Sequence, residues 1–308
     1  MILERVKKTM RTVVAMKAYY LMFLPVLLYF VIFHYLPMYG ITLAFKEFRI
    51  NLGILGSPWV GFENFKTIMS GPDIGRVLYN TVVISFLKVV VAFPIPIIFA
   101  LLINELRHKR FKVTIQTISY LPYFMSWVIL GSFVIEILSP SRGVINYIIT
   151  LFGGETIYFM SKPEYFKMIA FVSYVWQSVG WNSVVYLAAI AGIDSEQYES
   201  AHVDGANRYQ LARYITLPSL KPTILVLFIL GLGGILNAGF DQVLNLYNPA
   251  IISKSDILDT YIYRMGIESF QYSISTAVSV FKNVVGLIMV LSANMVVKKM
   301  THGEQGIW

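Results

Sequence analysis

Cysteine is absent from the chain, so disulfides and thiolate-bound metals have no part in holding it together. Histidine is scarce, and His34, His108, His202 and His302 show no metal-ligand spacing. Charge is scarce too: charged residues fill 14% of the 308 positions, where an ordinary soluble domain carries about a quarter. No Gly-x-x-x-x-Gly-Lys-Ser/Thr string occurs, so the glycine amides and lysine that cradle nucleotide phosphates are missing. The chain is therefore expected to perform no catalysis and to hold no cofactor or metal of its own.

Apolar sequence fills the space. Hydrophobic residues make up 56% of the chain, and the mean hydropathy is +0.64. A span needs roughly 20 apolar residues to cross about 30 Å of hydrocarbon. Six stretches qualify: 18–45, 77–104, 113–138, 166–192, 222–246 and 270–297. The expected fold is an all-α polytopic membrane protein of six transmembrane helices. Residues 18–297 form the membrane domain, between tails at 1–17 and 298–308. The first stretch begins like a secretory signal, after Lys7, Lys8, Arg11 and Lys17. Its apolar run is about twice as long as a signal core, and no small-x-small cleavage site follows closely, so it is expected to remain as a span.

The net charge of +8 finds its explanation in topology rather than in a nucleic-acid partner, because Lys and Arg collect in the cytoplasmic loops of membrane proteins. The tail carries Arg5, Lys7, Lys8, Arg11 and Lys17, and the second span is followed by Arg107, Lys109, Arg110 and Lys112. Arg208, Arg213 and Lys221 follow the fourth span, and Lys298 and Lys299 the sixth. The opposite loops are longer and more dilute in basic residues. Both termini are thus expected in the cytoplasm, with the loop 193–221.

That loop reads like the surface of a soluble protein. Asp194 with Gln197 three residues on has the spacing of a capping box, and a short helix is expected to run from there to Val203. Asp204-Gly205 ends it, Pro218 and Pro222 punctuate the return to the membrane, and a second helical turn lies between. A lipid-surface helix would be rich in Lys and Arg. This one carries Asp194, Glu196 and Glu199, with Asp204 just beyond, which an anionic leaflet repels. Docking into a basic groove of another protein is the better reading.

Glu199-Ser200-Ala201, three residues, Gly205, nine residues, then Ile215-x-Leu217-Pro218 resembles the E-A-A-x3-G-x9-I-x-L-P loop of ABC importer permeases. Ser200 is the one departure. "LPVLLYFVIFHYLPMYGITLAF", "WVGFENF" and "YLPYFMSW" are similar to permeases of the carbohydrate-uptake class, particularly those for oligosaccharides. The resemblance implies a type I ABC importer permease fold in a bacterial plasma membrane. It implies that the loop is a coupling helix seated in a cytoplasmic ATPase, with Glu199 facing a basic residue there. It further implies a second, different permease chain, two ATPase subunits that carry ATP and Mg, an extracytoplasmic solute-binding protein and an oligosaccharide substrate.

Polar residues inside spans are candidates for a transport path, since burying them is costly. In the fifth stretch Gly233, Asn237, Asp241 and Asn245 recur every four residues, a ladder on one face if the helix is continuous, with Gln242 beside it. In the fourth, Ser173, Gln177 and Gly180 or Trp181 form a weaker stripe, and Trp176 and Trp181 offer rings for sugar C–H faces. The alternative is helix–helix contact, for which small and amide residues serve. Lys88, Lys282 and Glu136 are either structural or attractors of an acidic sugar. An ion-coupled secondary transporter or a channel is the competing class, but the two halves show no convincing self-similarity.

Overall fold

The computed structural model describes residues 16–233 and 236–300, and among them secondary structure is helical throughout. The basic residues Arg5, Lys7, Lys8 and Arg11 lie outside the described residues. Helix α1, Lys17–Phe30, continues through a π-turn and a 3-10 segment to Phe45 and forms the first span. The second span is Ile74–Asn104. It consists of α2, Ile74–Phe86, a π-turn Leu87–Val91, and α3, Pro94–Asn104. Pro94 and Pro96 sit in the first turn of α3, where Pro94 forfeits no helical hydrogen bond.

The third stretch departs from the single helix expected over 113–138. Helix α4, Lys109–Tyr120, runs on to Phe124 and then turns by 106° into α5, Trp127–Ile137. Pro122 lies at the corner, where its ring favours a helix start and removes a donor. The fourth stretch is one 26-residue helix, α6, Phe166–Ala191. It is long enough to span but less apolar than its neighbours, because Ser173, Ser178 and Ser183 turn inward and bond carbonyls of their own helix. By length and apolarity four helices qualify as spans, five with the bent pair; α6 is the one that composition leaves out. It packs against α3, α4 and the later fifth-span helices. At Gly180 a side chain would run into the backbone carbonyl of Ser119, so the close approach of α6 and α4 requires glycine.

The fifth stretch is the main correction. Helix α7, Ser195–Val203, lies in the preceding loop. The crossing helix starts at Arg208 and is described to Leu232 as a span, its regular part being α8, Leu217–Gly233. Pro218 and Pro222 therefore do not separate loop from membrane. They ride within the helix, and a π-turn at Ala212–Thr216 sits just ahead of them, which is where a proline-bearing helix commonly adjusts its register. Beyond Gly233 the helix is interrupted. Residues 237–239 are not helical, Gly239 has φ +89°, and a short helix α9, Phe240–Leu246, follows. The four-residue ladder does not exist as a helical face, because Asn237 stands in the break.

A break inside a membrane strands backbone groups that water cannot reach, so the protein must satisfy them. Lys88, on the π-turn of the second span, does this. Its Nζ donates to the Ala238 carbonyl at 2.6 Å and to Gln242 Oε1. Gln242, itself 1% exposed, donates from Nε2 to the Ala170 carbonyl at 2.7 Å and to Ser173 Oγ at 2.8 Å. Second, fourth and fifth spans are thereby joined at one point.

The loop between the fifth and sixth spans is held as firmly. Asp256, fully buried, takes a bidentate pair from Arg264 at 2.6 and 3.1 Å and a hydroxyl from Thr260 at 2.8 Å. These bonds hold the Arg264 guanidinium above its ordinary pKa. Asn80 and Thr81 of α2 reach across to Asp256 O and Leu258 N. Helix α10, Leu258–Tyr263, then leads to α11, Tyr272–Met300, the sixth span.

Two predictions follow from this bonding. Lys88→Met leaves the buried Ala238 carbonyl and Gln242 amide oxygen without their donor, at about 1–3 kcal/mol each, so the melting temperature of the solubilised protein should drop. Arg264→Met leaves the buried Asp256 carboxylate without its cation, with only the Thr260 hydroxyl still bonded to it, at about 3–5 kcal/mol. The paired change Arg264→Met/Asp256→Asn should recover part of that loss in the same thermal melt.

Candidate functional site

The soluble-looking loop folds largely as the sequence implied. Asp194 has an extended backbone and its Oδ1 accepts from Glu196 N at 3.0 Å, capping α7. The reciprocal capping box lies one helix later: Asn207 Oδ1 accepts from Gln210 N at 2.9 Å, and Gln210 Oε1 from Asn207 N at 2.8 Å. Asp194 and Gln197 share only a backbone bond. Helix α7 ends at Val203, and Gly205 takes φ +77°, a left-handed conformation that a Cβ would strain.

Exposure divides the motif residues. Glu199, Ser200, Asp204 and Gly205 face outward, as do Leu217 and Pro218, while Ala201 and Ile215 are half-buried. Two apolar residues that the sequence reading passed over also face outward, Val203 at 89% exposure and Tyr209 at 69%. A valine this exposed beside an acidic helix face is a signal that only coordinates reveal, since the same residue in sequence reads as an inward-facing helix position. Glu105, at the end of the second span, meets Arg208 Nη1 at 3.4 Å.

The path candidates separate into three groups. Lys88, Gln177, Trp181, Asn237 and Gln242 line one partly open cavity of about 470 Å³, within the usual range of small-molecule sites. Trp127, Tyr174, Ser178 and Asn182 add to its polar and aromatic wall with Phe93 and Tyr186, and among the described residues no carboxylate contributes to it. Trp181 stacks on Tyr123, ring centroids 4.9 Å apart and planes 10° from parallel. Trp176 does not share this wall. Five positions earlier on α6, it stacks on Phe133 and faces an apolar recess of about 430 Å³ that Ser173 also borders.

The third group lies away from the cavity. Asp241 is exposed on α9, and Asn245 Nδ2 donates to the Asp241 carbonyl at 2.7 Å while its Cβ side abuts Gly131 of α5. Asn245 thus serves a close helix contact. Lys282 is ion-paired to Asp259, both side chains 17% exposed, and Glu136 is exposed near the end of α5. Of Lys88, Lys282 and Glu136, Lys88 alone meets the cavity, and there its ammonium already serves neutral acceptors.

Comparison with known proteins places this geometry. Residues 92–302 match the family described as binding-protein-dependent transport system inner membrane component. The polygalacturonan/rhamnogalacturonan transport system permease protein YteP of Bacillus subtilis is 43% identical over 305 residues, covering 99% of this chain and 94% of that protein. Protein LplB of the same organism is 45% identical, covering 91% and 88% of the two chains. A chain in the crystal structure of a bacterial ABC transporter involved in import of the acidic polysaccharide alginate superposes with a TM-score of 0.89 at 40% identity, covering 96% of this chain and 99% of that one. A second structure of the alginate transporter, in complex with alginate pentasaccharide-bound periplasmic protein, gives 0.88 at 39% identity. The chain therefore belongs to the family of binding-protein-dependent transport system inner membrane components.

Proposed function

We propose that this chain is one of two permease subunits of an ATP-driven oligosaccharide importer, forming half of the path and coupling it to cytoplasmic ATPases. The observation that carries this reading is the outward-facing acidic helix α7, ended by the left-handed Gly205, in a chain otherwise built for lipid. The names of its relatives support a saccharide cargo, and the family, binding-protein-dependent by its description, argues against an ion-coupled transporter or a channel. The second permease is a different chain, ATP and Mg sit on the two ATPase subunits, and sugar arrives from an extracytoplasmic binding protein. The chain itself performs no catalysis. Both termini and loop 193–221 face the cytoplasm.

In this reading Glu199, Ser200, Asp204 and Gly205 form the face that enters the ATPase, with Val203 as its apolar tip. Half-buried Ala201 and Ile215 lie behind that face, and Leu217 and Pro218 begin the regular helix of the fifth span. Sugar passes the cavity beside Trp181, Gln177, Asn182 and Asn237. Amides match hydroxyl groups there, and the stacked indole offers its face to sugar C–H bonds. Lys88 and Gln242 shape the wall while occupied with each other. Asp241 stands on the exposed surface of α9, outside the cavity.

Glu199→Lys should leave membrane insertion and melting temperature unchanged while lowering affinity for the ATPase by roughly thirtyfold or more, since disrupting a buried charge pair at an interface costs about 2 kcal/mol or more. Copurification of the ATPase measures it. Trp181→Ala should reduce oligosaccharide uptake into proteoliposomes with ATPase binding intact. Uptake by the unaltered complex should stop without ATP and ignore ionophores; the reverse pattern would defeat the importer reading.

A further inference from the structure

Helix α7 is mostly exposed, so its movement must be passed to the membrane through few contacts. One is a hydroxyl pair. Tyr198, half-buried on α7, places its Oη 2.9 Å from Thr216 Oγ1, and Thr216 is 3% exposed. Thr216 Oγ1 in turn donates to the Leu211 carbonyl five residues back, at 3.4 Å. That direction leaves Thr216 as acceptor and Tyr198 as donor, so the chain runs phenol to hydroxyl to carbonyl. The nearby Arg208–Glu105 pair belongs to the start of the fifth-span helix rather than to α7, and it is long at 3.4 Å with side chains 51% and 40% exposed. Water and salt screen such a pair, and it holds little.

The hydroxyl pair lands at a particular place. Thr216 closes the π-turn Ala212–Thr216, and single π-turns within helices gather at functional sites because the wider turn loosens the backbone bonding. From there α8 runs 17 residues, about 25 Å at 1.5 Å per residue, to the break whose Asn237 and Gly239 line the cavity. Resting on the reading of α7 as the ATPase-docking helix, we infer that the Tyr198–Thr216 hydrogen bond is the tie through which displacement of α7 reaches the fifth span and so the cavity wall. Tyr198 and Thr216 are positioning residues: they touch neither sugar nor nucleotide. Sequence gave no hint of them, since Tyr198 precedes the motif's glutamate and Thr216 fills one of its unconstrained positions.

The test uses the whole transporter in proteoliposomes, with both permeases, ATPases and binding protein. Tyr198→Phe removes one hydroxyl and keeps the ring. It should leave ATPase copurification and basal ATP hydrolysis unchanged while lowering sugar transported per ATP by roughly two- to tenfold, the range that loss of one hydrogen bond allows. Thr216→Ser should transport normally, Thr216→Val should reproduce the defect, and the double variant should be no worse than either single one. Unchanged sugar per ATP in Tyr198→Phe, or additive defects in the double variant, would overturn the inference. So would loss of ATPase copurification in Tyr198→Phe, since the hydroxyl would then serve the interface. Normal docking of the ATPase by the Glu199→Lys variant, with Tyr198 unaltered, would instead defeat the coupling reading itself.

Discussion

A backbone that leaves its helix inside hydrocarbon has no water to bond, and the rest of this fold depends on how that demand is met. The fifth span breaks after Gly233, and the Ala238 carbonyl that the break exposes is taken by Lys88 from another span. Without that donor the break would cost several kcal/mol and the sequence would favour a continuous helix. With it, three spans meet at a fixed point beside a cavity. The lysine also loses freedom to act as a ligand, since two of its hydrogens are committed and its ammonium lies over the Tyr174 ring.

The same economy of polar groups explains α6. Its buried serines Ser173, Ser178 and Ser183 each bond a carbonyl three or four residues back on their own helix, and Ser173 also accepts from Gln242. What distinguishes the cavity from these internal contacts is the presence of polar groups such as Gln177, Asn182 and Asn237 around open space. Charge within the spans follows the rule as well: Lys282 has Asp259 as its partner, so neither needs a substrate to neutralise it.

The loop 193–221 and the cavity occupy opposite ends of one mechanical element. Helix α8, Leu217–Gly233, is regular, stiffer than the π-turn Ala212–Thr216 before it and the break after it. A rigid rod between two irregular segments transmits displacement rather than absorbing it, and its lower end is where α7 is attached. The fold thus places its irregular backbone at the two points where a transporter must change shape, and regular helix between them.

Membership in the membrane class, the apolar stretches and the short acidic helix of the loop were legible in the sequence, because each depends on composition or on spacing within one short segment. Glu199 to Pro218 could be read at fixed intervals, and Gly205 did take the left-handed turn that glycine permits. The ladder from Gly233 to Asn245 could not be read correctly, since its periodicity holds only if the helix continues. Whether it continues depends on Lys88, about 150 residues away in the chain. Trp176 and Trp181 looked like one wall for a similar reason: spacing places residues around a helix, but only the neighbours α4 and α5 decide which side is cavity and which is recess. The sequence determined what each segment is, through local chemistry. The tertiary structure decided which polar groups are already satisfied, because a hydrogen-bond partner contributed by another span leaves no trace in the local pattern.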